Sequence, residues 1–153
     1  NLYRHLKSFA NDIGETVYEV DDNVISLAMT LCSIPNHKQT LFGAVLFSRG
    51  ITGARVISSS TKATAIEGYD FVNFGSHSSE EHTGYLTVAC GVGMCEAEVE
   101  ELFARLASTY ARFCRKNLGK EVRIANGTHG VSEDEEEQLE RSGRRRYEED
   151  EED

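Results

Sequence analysis

The segment LFGAVLFSRGITGARVI, residues 41–57, decides the fold, because it predicts the end of an apolar helix, a glycine stop and a short strand. Gly50 stands where the chain leaves the helix through a left-handed backbone conformation, which glycine adopts at the lowest cost. Arg49 then lies in the last helical turn, where the helix dipole favours a cation by about 0.3–1 kcal/mol, so its presence needs no functional reason. The alternative interpretation is that Arg49 and Arg55 flank a loop that presents guanidinium groups to an anionic partner.

The residues before this segment predict a helix, two strands and the start of a second helix. An apolar stripe at helical spacing ends at Gly14 and consists of Leu2, Leu6, Phe9 and Ile13. Strands are expected at 17–20 and at 25–31, where apolar residues alternate with small ones. Pro35 separates them from the second helix, for which Asn36 is the expected N-cap and Gln39 the partner in a capping box. Four of its side chains are available to the core: Leu41, Phe42, Val45 and Leu46.

The residues after the segment predict more strands and the longest helix. A strand at 55–57 is followed by a polar connection at 58–65 and by strands at 69–74 and 85–90. The last helix carries the strongest apolar stripe of the chain, formed by Val99, Leu102, Phe103, Leu106, Tyr110 and Phe113. On one flank of that helix, Arg105, Arg112 and Lys116 form a basic stripe. Its acidic first turns and basic end also suit the helix dipole without any functional role.

These elements predict an α+β domain in residues 1–118, with an antiparallel or mixed sheet and helices packed on one face. Residues 119–153 are expected to form an acidic, low-complexity tail that is disordered. Of the formal net charge of −10, −8 belongs to residues 133–153, which hold twelve acidic residues and four arginines. The remaining −2 leaves the domain nearly neutral, so its arginines can form a local positive patch.

The composition excludes several classes of protein and site. The chain has no apolar run long enough to span a bilayer, and it is expected to be a piece of a longer cytoplasmic protein. Its cysteines lack zinc spacing and are expected to be buried free thiols: Cys32, Cys90, Cys95 and Cys114. His77 and His82 are more simply explained as solvated loop histidines than as catalytic groups. No catalytic set, metal site or phosphate-binding glycine motif stands out, so we expect no chemistry from the chain alone.

Several short stretches carry a resemblance to a known family. They are ISLAMTL at 25–31, LFSR at 46–49, GARV at 53–56, SH at 76–77, YL at 85–86 and GM at 93–94. Together with the order of elements, they resemble the C-terminal small domain of fold-type-I PLP enzymes, and more closely the C-terminal part of the O-phosphoseryl-tRNA(Sec) selenium transferase family. The resemblance covers residues 1–117 and excludes the acidic tail.

The resemblance implies a PLP-dependent homotetramer that converts O-phosphoseryl-tRNA(Sec) to selenocysteinyl-tRNA(Sec), with selenophosphate as selenium donor. Pyridoxal 5'-phosphate and its Schiff-base lysine would lie in an upstream domain that this chain lacks. The family arginine that reads the discriminator base falls on Arg49, and a basic residue that faces the backbone of the tRNA(Sec) acceptor arm falls on Lys116. Additional RNA contacts are expected from Arg55, Arg112 and Arg115.

Two other functions agree with the same residues. The chain could be the small domain of another fold-type-I PLP enzyme that mobilises sulfur or selenium from a small molecule. It could also be a non-enzymatic RNA-binding module with an acidic tail. A PLP lysine in the sequence upstream separates the enzymes from the binding module, and turnover of a free amino acid without tRNA separates the two enzymes.

Overall fold

A computed structural model of the chain describes residues 1–19, 23, 25–59, 63–72 and 83–124. Within these ranges, three α-helices and six strands follow one another as α1 (Leu2–Ile13), β1 (Val17–Tyr18), β2 (Ser26–Thr30), α2 (Asn36–Ser48), β3 (Ala54–Ile57), β4 (Thr64–Ile66), β5 (Tyr69–Phe71), β6 (Tyr85–Ala89) and α3 (Glu96–Phe113). A π-helical turn, Cys114–Leu118, continues α3. Every helix among these residues is too short or too polar to cross a lipid bilayer.

Four of the strands form one sheet in the order β1-β2-β6-β3, and each neighbouring pair is antiparallel. The predicted α+β class is therefore confirmed, and the sheet is antiparallel rather than mixed. The pairing register of β2 and β6 shows which face of the sheet is apolar. Leu27 lies opposite Val88 and Met29 opposite Leu86, and all four side chains are buried. Because neighbouring residues of a strand point to opposite faces, this face joins the core while the alternate residues face away from it.

The three helices contribute to the same core, and Tyr110 of α3 lies where they meet. Its ring packs edge-on against Phe9 of α1 and against Phe42 of α2, with 5.8 Å between ring centroids in both cases. Its hydroxyl lies 2.7 Å from Oγ of Ser33, in the loop between β2 and α2. Burial raises the pKa of the Tyr110 phenol, so the hydroxyl stays protonated at neutral pH. The apolar stripes predicted for α1 and α3 are confirmed, since most of their members are buried.

A carboxylate fixes the loop that Ser33 belongs to. Glu15 is only 6% exposed, yet its two oxygens accept four hydrogen bonds. Oε2 accepts from Thr30 Oγ1 at 2.5 Å and from the Cys32 amide at 3.0 Å, and Oε1 accepts from the Ser33 amide at 2.7 Å and hydroxyl at 2.5 Å. The Ser33 hydroxyl gives its one proton to Glu15, so Tyr110 is the donor in the 2.7 Å contact. The end of α1 is thereby connected through β2 and the loop to α3.

The helix α2 begins next to Pro35 as predicted, but its predicted capping is wrong. Asn36 is the first helical residue, Pro35 is the N-cap, and no side chain makes a capping hydrogen bond. The Gln39 amide lies 3.4 Å from Oδ1 of Asn36 instead of bonding a backbone group of the N-cap. Gln39 is fully buried, and its amide donates to the carbonyls of Leu31 at 3.1 Å and Ile34 at 3.0 Å. Carbonyls in the turn before the helix need buried donors, and Gln39 satisfies two of them.

The predicted core side chains of α2 are confirmed for Phe42 and Leu46, whereas Leu41 is 47% exposed.

Two further predictions need correction. The connection at 58–65 contains the start of β4, which pairs with β5 in a two-stranded antiparallel hairpin. Its turn places both Glu67 (φ 50°) and Gly68 (φ 82°) in the left-handed region, as short hairpin turns require. The four cysteines are free, but only Cys114 is buried, and Cys32 and Cys95 are exposed.

Parts of other predictions lie outside the described residues. They are the ends of the strands at 17–20 and 69–74, the loop with His77 and His82, and residues 125–153 of the tail. Residues 119–124 are described, and two of their side chains, Val122 and Ile124, pack against the core.

Candidate nucleic-acid interface

The turn after α2 fixes the backbone at Arg49. Arg49 is the C-terminal cap of the helix, and Gly50 follows in the left-handed region at φ 75°. The Gly50 amide donates to the Phe47 carbonyl at 3.0 Å, and the Ile51 amide donates to the Leu46 carbonyl at 3.0 Å. These two bonds form a Schellman motif, and buried Leu46 and Ile51 supply its apolar contact. The predicted glycine stop is confirmed, and it places Arg49 half-buried at a turn of defined geometry.

Helices α2 and α3 run in opposite directions. At one end of the pair, Nζ of Lys38 in the first turn of α2 donates to the carbonyl of Asn117, just beyond α3. At the other end, a Cβ atom built on Gly50 would lie 3.6 Å from Nη1 of Arg105. The end of α2, and Arg49 with it, therefore lies beside the middle of α3.

The basic residues predicted beyond Arg105 in the last helix lie at the opposite end of this helix pair. Arg112 is in the last turn of α3, and Arg115 and Lys116 are in the π-helical turn that follows. Arg115 and Lys116 are exposed, and Arg112 is half-buried. With a rise of about 1.5 Å per residue, Lys116 lies about 16 Å along the axis from Arg105. Arg49, beside the middle of α3, and Lys116, beyond its end, are thus two separate points along this helix pair.

Arg55 lies on a different surface from these residues. It belongs to β3, an edge strand of the sheet, and pairs in register with Thr87. Its neighbours Ala54 and Val56 pack against the core, so Arg55 extends from the sheet face that points away from the helices. The geometry does not join Arg55 to the group formed by the ends of α2 and α3.

Sequence spacing gave no sign of a group of three potential metal ligands. Among the described residues, the side-chain ligand atoms of His5, Glu96 and Glu100 lie within 4.8 Å of one another, because α1 packs beside the start of α3. Oε1 of Glu96 lies 3.4 Å from both His5 Nε2 and Arg4 Nη2, so a cation is already present beside this oxygen. An adjacent cleft of about 270 Å³ is lined by His5, Phe9, Asp12, Glu100, Phe103, Ala104, Ala107 and Ile124.

The described lysines do not fit a Schiff base with PLP, which needs an amine held in a desolvated site. Lys7 is exposed, and its hydrogen bond to the Tyr3 hydroxyl raises its pKa above the ordinary value, which opposes the neutral amine. Lys38 donates to the Asn117 carbonyl, and Lys116 and Lys120 are exposed. Lys62 lies outside the described residues.

Comparisons with known proteins give consistent results. The family model described as O-phosphoseryl-tRNA(Sec) selenium transferase, SepSecS, matches residues 1–111. The protein of that name from Caenorhabditis briggsae is 61% identical over 129 residues, which are 84% of this chain and 27% of the relative. The Caenorhabditis elegans protein is 58% identical over 123 residues, 80% of this chain and 26% of the relative. For Dictyostelium discoideum the identity is 34% over 122 residues, 69% of this chain and 26% of the relative. The chain therefore spans about a quarter of the length of these curated relatives.

Proposed function

The chain belongs to the O-phosphoseryl-tRNA(Sec) selenium transferase family, and from this premise we propose that it is the tRNA-gripping C-terminal part of such an enzyme. The complete protein would convert O-phosphoseryl-tRNA(Sec) to selenocysteinyl-tRNA(Sec), with selenophosphate as selenium donor. In this proposal the chain binds the acceptor arm of tRNA(Sec) and holds it for a reaction that takes place on the rest of the protein.

One observation carries the assignment of the contact to Arg49. This arginine lies within the family-matched residues 1–111, at the end of a helix whose Schellman turn fixes its backbone. A guanidinium presents its donors in a planar fork that matches the O6 and N7 acceptors of guanine, and such a pair contributes about 1–3 kcal/mol of discrimination. The unpaired acceptor end of a tRNA exposes base edges that a duplex would conceal. Arg49 is therefore the proposed reader of the discriminator base.

The basic residues at the end of α3 have a different proposed role. Lys116 is an exposed point charge, which suits a phosphate contact that positions the RNA without reading its sequence. Arg112 and Arg115 would add to the same backbone contact. All three follow the family-matched residues, so their assignment depends on their charge and position. Arg55 could contact RNA only from the opposite side of the sheet, and we retain it as a secondary candidate.

The remaining properties of the proposal belong to the rest of the protein. PLP would supply the electron sink for replacing the phosphate by selenium, and it would be bound by the upstream domain because the described lysines do not fit it. We further propose that the complete enzyme is a cytoplasmic homotetramer with the fold of type-I PLP transferases.

The test is the substitution Arg49→Ala in the full-length protein. We expect kcat/KM for O-phosphoseryl-tRNA(Sec) to fall by roughly 5–150-fold, which corresponds to about 1–3 kcal/mol, with PLP content unchanged. The preference for guanine at the discriminator position should be lost at the same time. A suitable control is Arg4→Ala, which removes another exposed arginine that contacts a glutamate of α3. An Arg49→Ala enzyme with normal kcat/KM and normal discriminator preference would remove Arg49 from the proposal.

A further inference from the structure

Arg105, the first member of the basic stripe predicted for the last helix, lies against the turn that contains Arg49, a contact that no sequence pattern indicated. Its Nη1 atom is 3.6 Å from the position that a Cβ on Gly50 would occupy. Gly50 directly follows Arg49, so the Arg105 guanidinium lies against the turn that carries Arg49. The two arginines are far apart in the sequence and come from different helices. Only the antiparallel packing of α2 on α3 brings them together.

A neighbouring glutamate holds the Arg105 side chain in place. Nε of Arg105 donates to Oε1 of Glu101 at 2.6 Å, one helical turn earlier in α3. This bond uses the Nε–H group and leaves the four N–H groups of the two terminal nitrogens for other partners. The Arg105 side chain is 50% exposed, so solvent or a ligand can reach it. The guanidinium is thus oriented in advance, which lowers the entropy lost when it binds a partner.

The surroundings favour an anionic partner. Arg49 and Arg105 bring two positively charged side chains to one turn, and Arg105 keeps its two terminal nitrogens after its bond to Glu101. A phosphodiester accepts hydrogen bonds from a guanidinium in the planar geometry that Arg105 still offers. The Nε edge is occupied by Glu101, so a partner meets the two terminal nitrogens, which can donate to two phosphate oxygens. A phosphodiester carries a negative charge and a base edge does not, so the cation suits a backbone phosphate better.

We propose that Arg105 binds the phosphate next to the nucleotide that Arg49 reads. This inference rests on the proposed function, since it requires that Arg49 faces RNA. Arg105 positions the nucleotide without specifying it, and Arg49 reads the base. Together with Lys116, about 16 Å further along the axis, Arg105 gives the acceptor arm two backbone contacts on α3.

A purely structural role makes a different prediction. The C-terminal end of α2 carries a partial negative charge, which a guanidinium near Gly50 would stabilise even without RNA. Loss of that interaction would lower the melting temperature but would not alter how RNA binding depends on salt. Salt dependence separates the two roles, because each phosphate contact releases counterions and steepens the dependence of log K on log salt concentration.

The experiment compares Arg105→Ala, Arg105→Lys, Arg49→Ala and the control Arg4→Ala in the full-length protein. The probe is O-phosphoseryl-tRNA(Sec), with either guanine or adenine at the discriminator position. For Arg105→Ala we expect KM to rise about tenfold with kcat within about twofold of the unmodified enzyme. The salt slope should become shallower by about 0.7–0.9, the value of one phosphate contact. The preference for guanine should remain, and Arg105→Lys should restore most of the salt slope.

Three outcomes would count against the inference. An Arg105→Ala enzyme with unchanged KM and salt slope, while Arg49→Ala is impaired, would overturn the role of Arg105 and leave the proposed function intact. A lower melting temperature with an unchanged salt slope would assign Arg105 to the stability of α2 alone. If neither Arg49→Ala nor Arg105→Ala affects tRNA binding, the proposed function fails together with this inference.

Discussion

Glu15 shows how one residue can hold an ionised group in the interior. Burial opposes ionisation, but hydrogen bonds from the Ser33 and Thr30 side chains and from the Ser33 and Cys32 amides outweigh it and lower the pKa of Glu15. Because the folded-state pKa lies below the unfolded-state value, ionised Glu15 stabilises the fold at neutral pH. This stabilisation is complete above the ordinary pKa of 4.5 and is lost as the pH falls through the folded-state pKa.

At this scale we predict that Glu15→Gln destabilises the chain by about 2 kcal/mol at pH 7, because glutamine replaces one acceptor oxygen with a donor that faces other donors. The corresponding fall in melting temperature is about 8 °C. Thermal unfolding measured across the acidic range should show the two proteins converging as the pH falls from 4.5 through the lowered folded-state pKa of Glu15, where the native glutamate also loses its charge. The control is Glu19→Gln, an exposed glutamate that accepts a hydrogen bond from Tyr3. A Glu15→Gln deficit that stays constant through the acidic range would show that ionisation of Glu15 is not its source.

At the scale of elements, sequence periodicity was sufficient to predict each helix or strand that buries one face. The stripes of α1 and α3 and the alternation in β2 follow from burial against a shared core, and each element was predicted close to its observed bounds. The hairpin of β4 and β5 was only half predicted, because its residues are exposed and carry no burial pattern.

The capping of α2 and the contact of Arg105 with the turn after α2 could not be predicted from local sequence. Gln39 has the spacing of a capping box, but tertiary packing directs its amide to the carbonyls of Leu31 and Ile34 instead. In the same way, Arg49 could be placed at a helix end from Gly50 alone, whereas its proximity to Arg105 depends on how two helices pack. Contacts between distant segments leave no periodic signal in the chain.

The glycine turn that ends α2 can be tested against a similar glycine turn that ends α1. Gly14 and Gly50 both have φ 75°, and neither would meet a close contact if a Cβ were added. We expect Gly14→Ala and Gly50→Ala each to cost about 1–2 kcal/mol of stability, since the left-handed conformation disfavours alanine. Only Gly50→Ala should also raise KM for the tRNA substrate, because it disturbs the backbone that carries Arg49. Equal effects of the two variants on KM would indicate that the turn has no special role in RNA binding.

For the whole molecule, the distribution of charge and of lysines supports the proposed division between binding the RNA here and performing the reaction on the rest of the protein. The net charge of residues 1–132 is only −2, and the basic residues of α3 and of the turn after α2 lie on its helical side. A phosphate-rich partner can therefore be bound locally despite the overall net charge of −10. The described lysines, in contrast, are exposed or bonded to neighbouring groups: Lys7, Lys116 and Lys120 are exposed, Lys7 donates to a tyrosine hydroxyl, and Lys38 donates to a backbone carbonyl. None of these settings is the desolvated site that a Schiff-base lysine needs.

This separation predicts the behaviour of residues 1–153 expressed by themselves. After incubation with PLP and borohydride, the chain should carry no stoichiometric pyridoxyl-lysine, and it should form no selenocysteinyl-tRNA(Sec) from O-phosphoseryl-tRNA(Sec) and selenophosphate. The full-length protein is the positive control for both measurements. Binding of tRNA(Sec) to the isolated chain should be weak and should decline steeply with salt, because phosphate contacts would dominate it. A single pyridoxylated lysine, identified by peptide mapping and protected by tRNA, would contradict the proposed division between this chain and the cofactor domain.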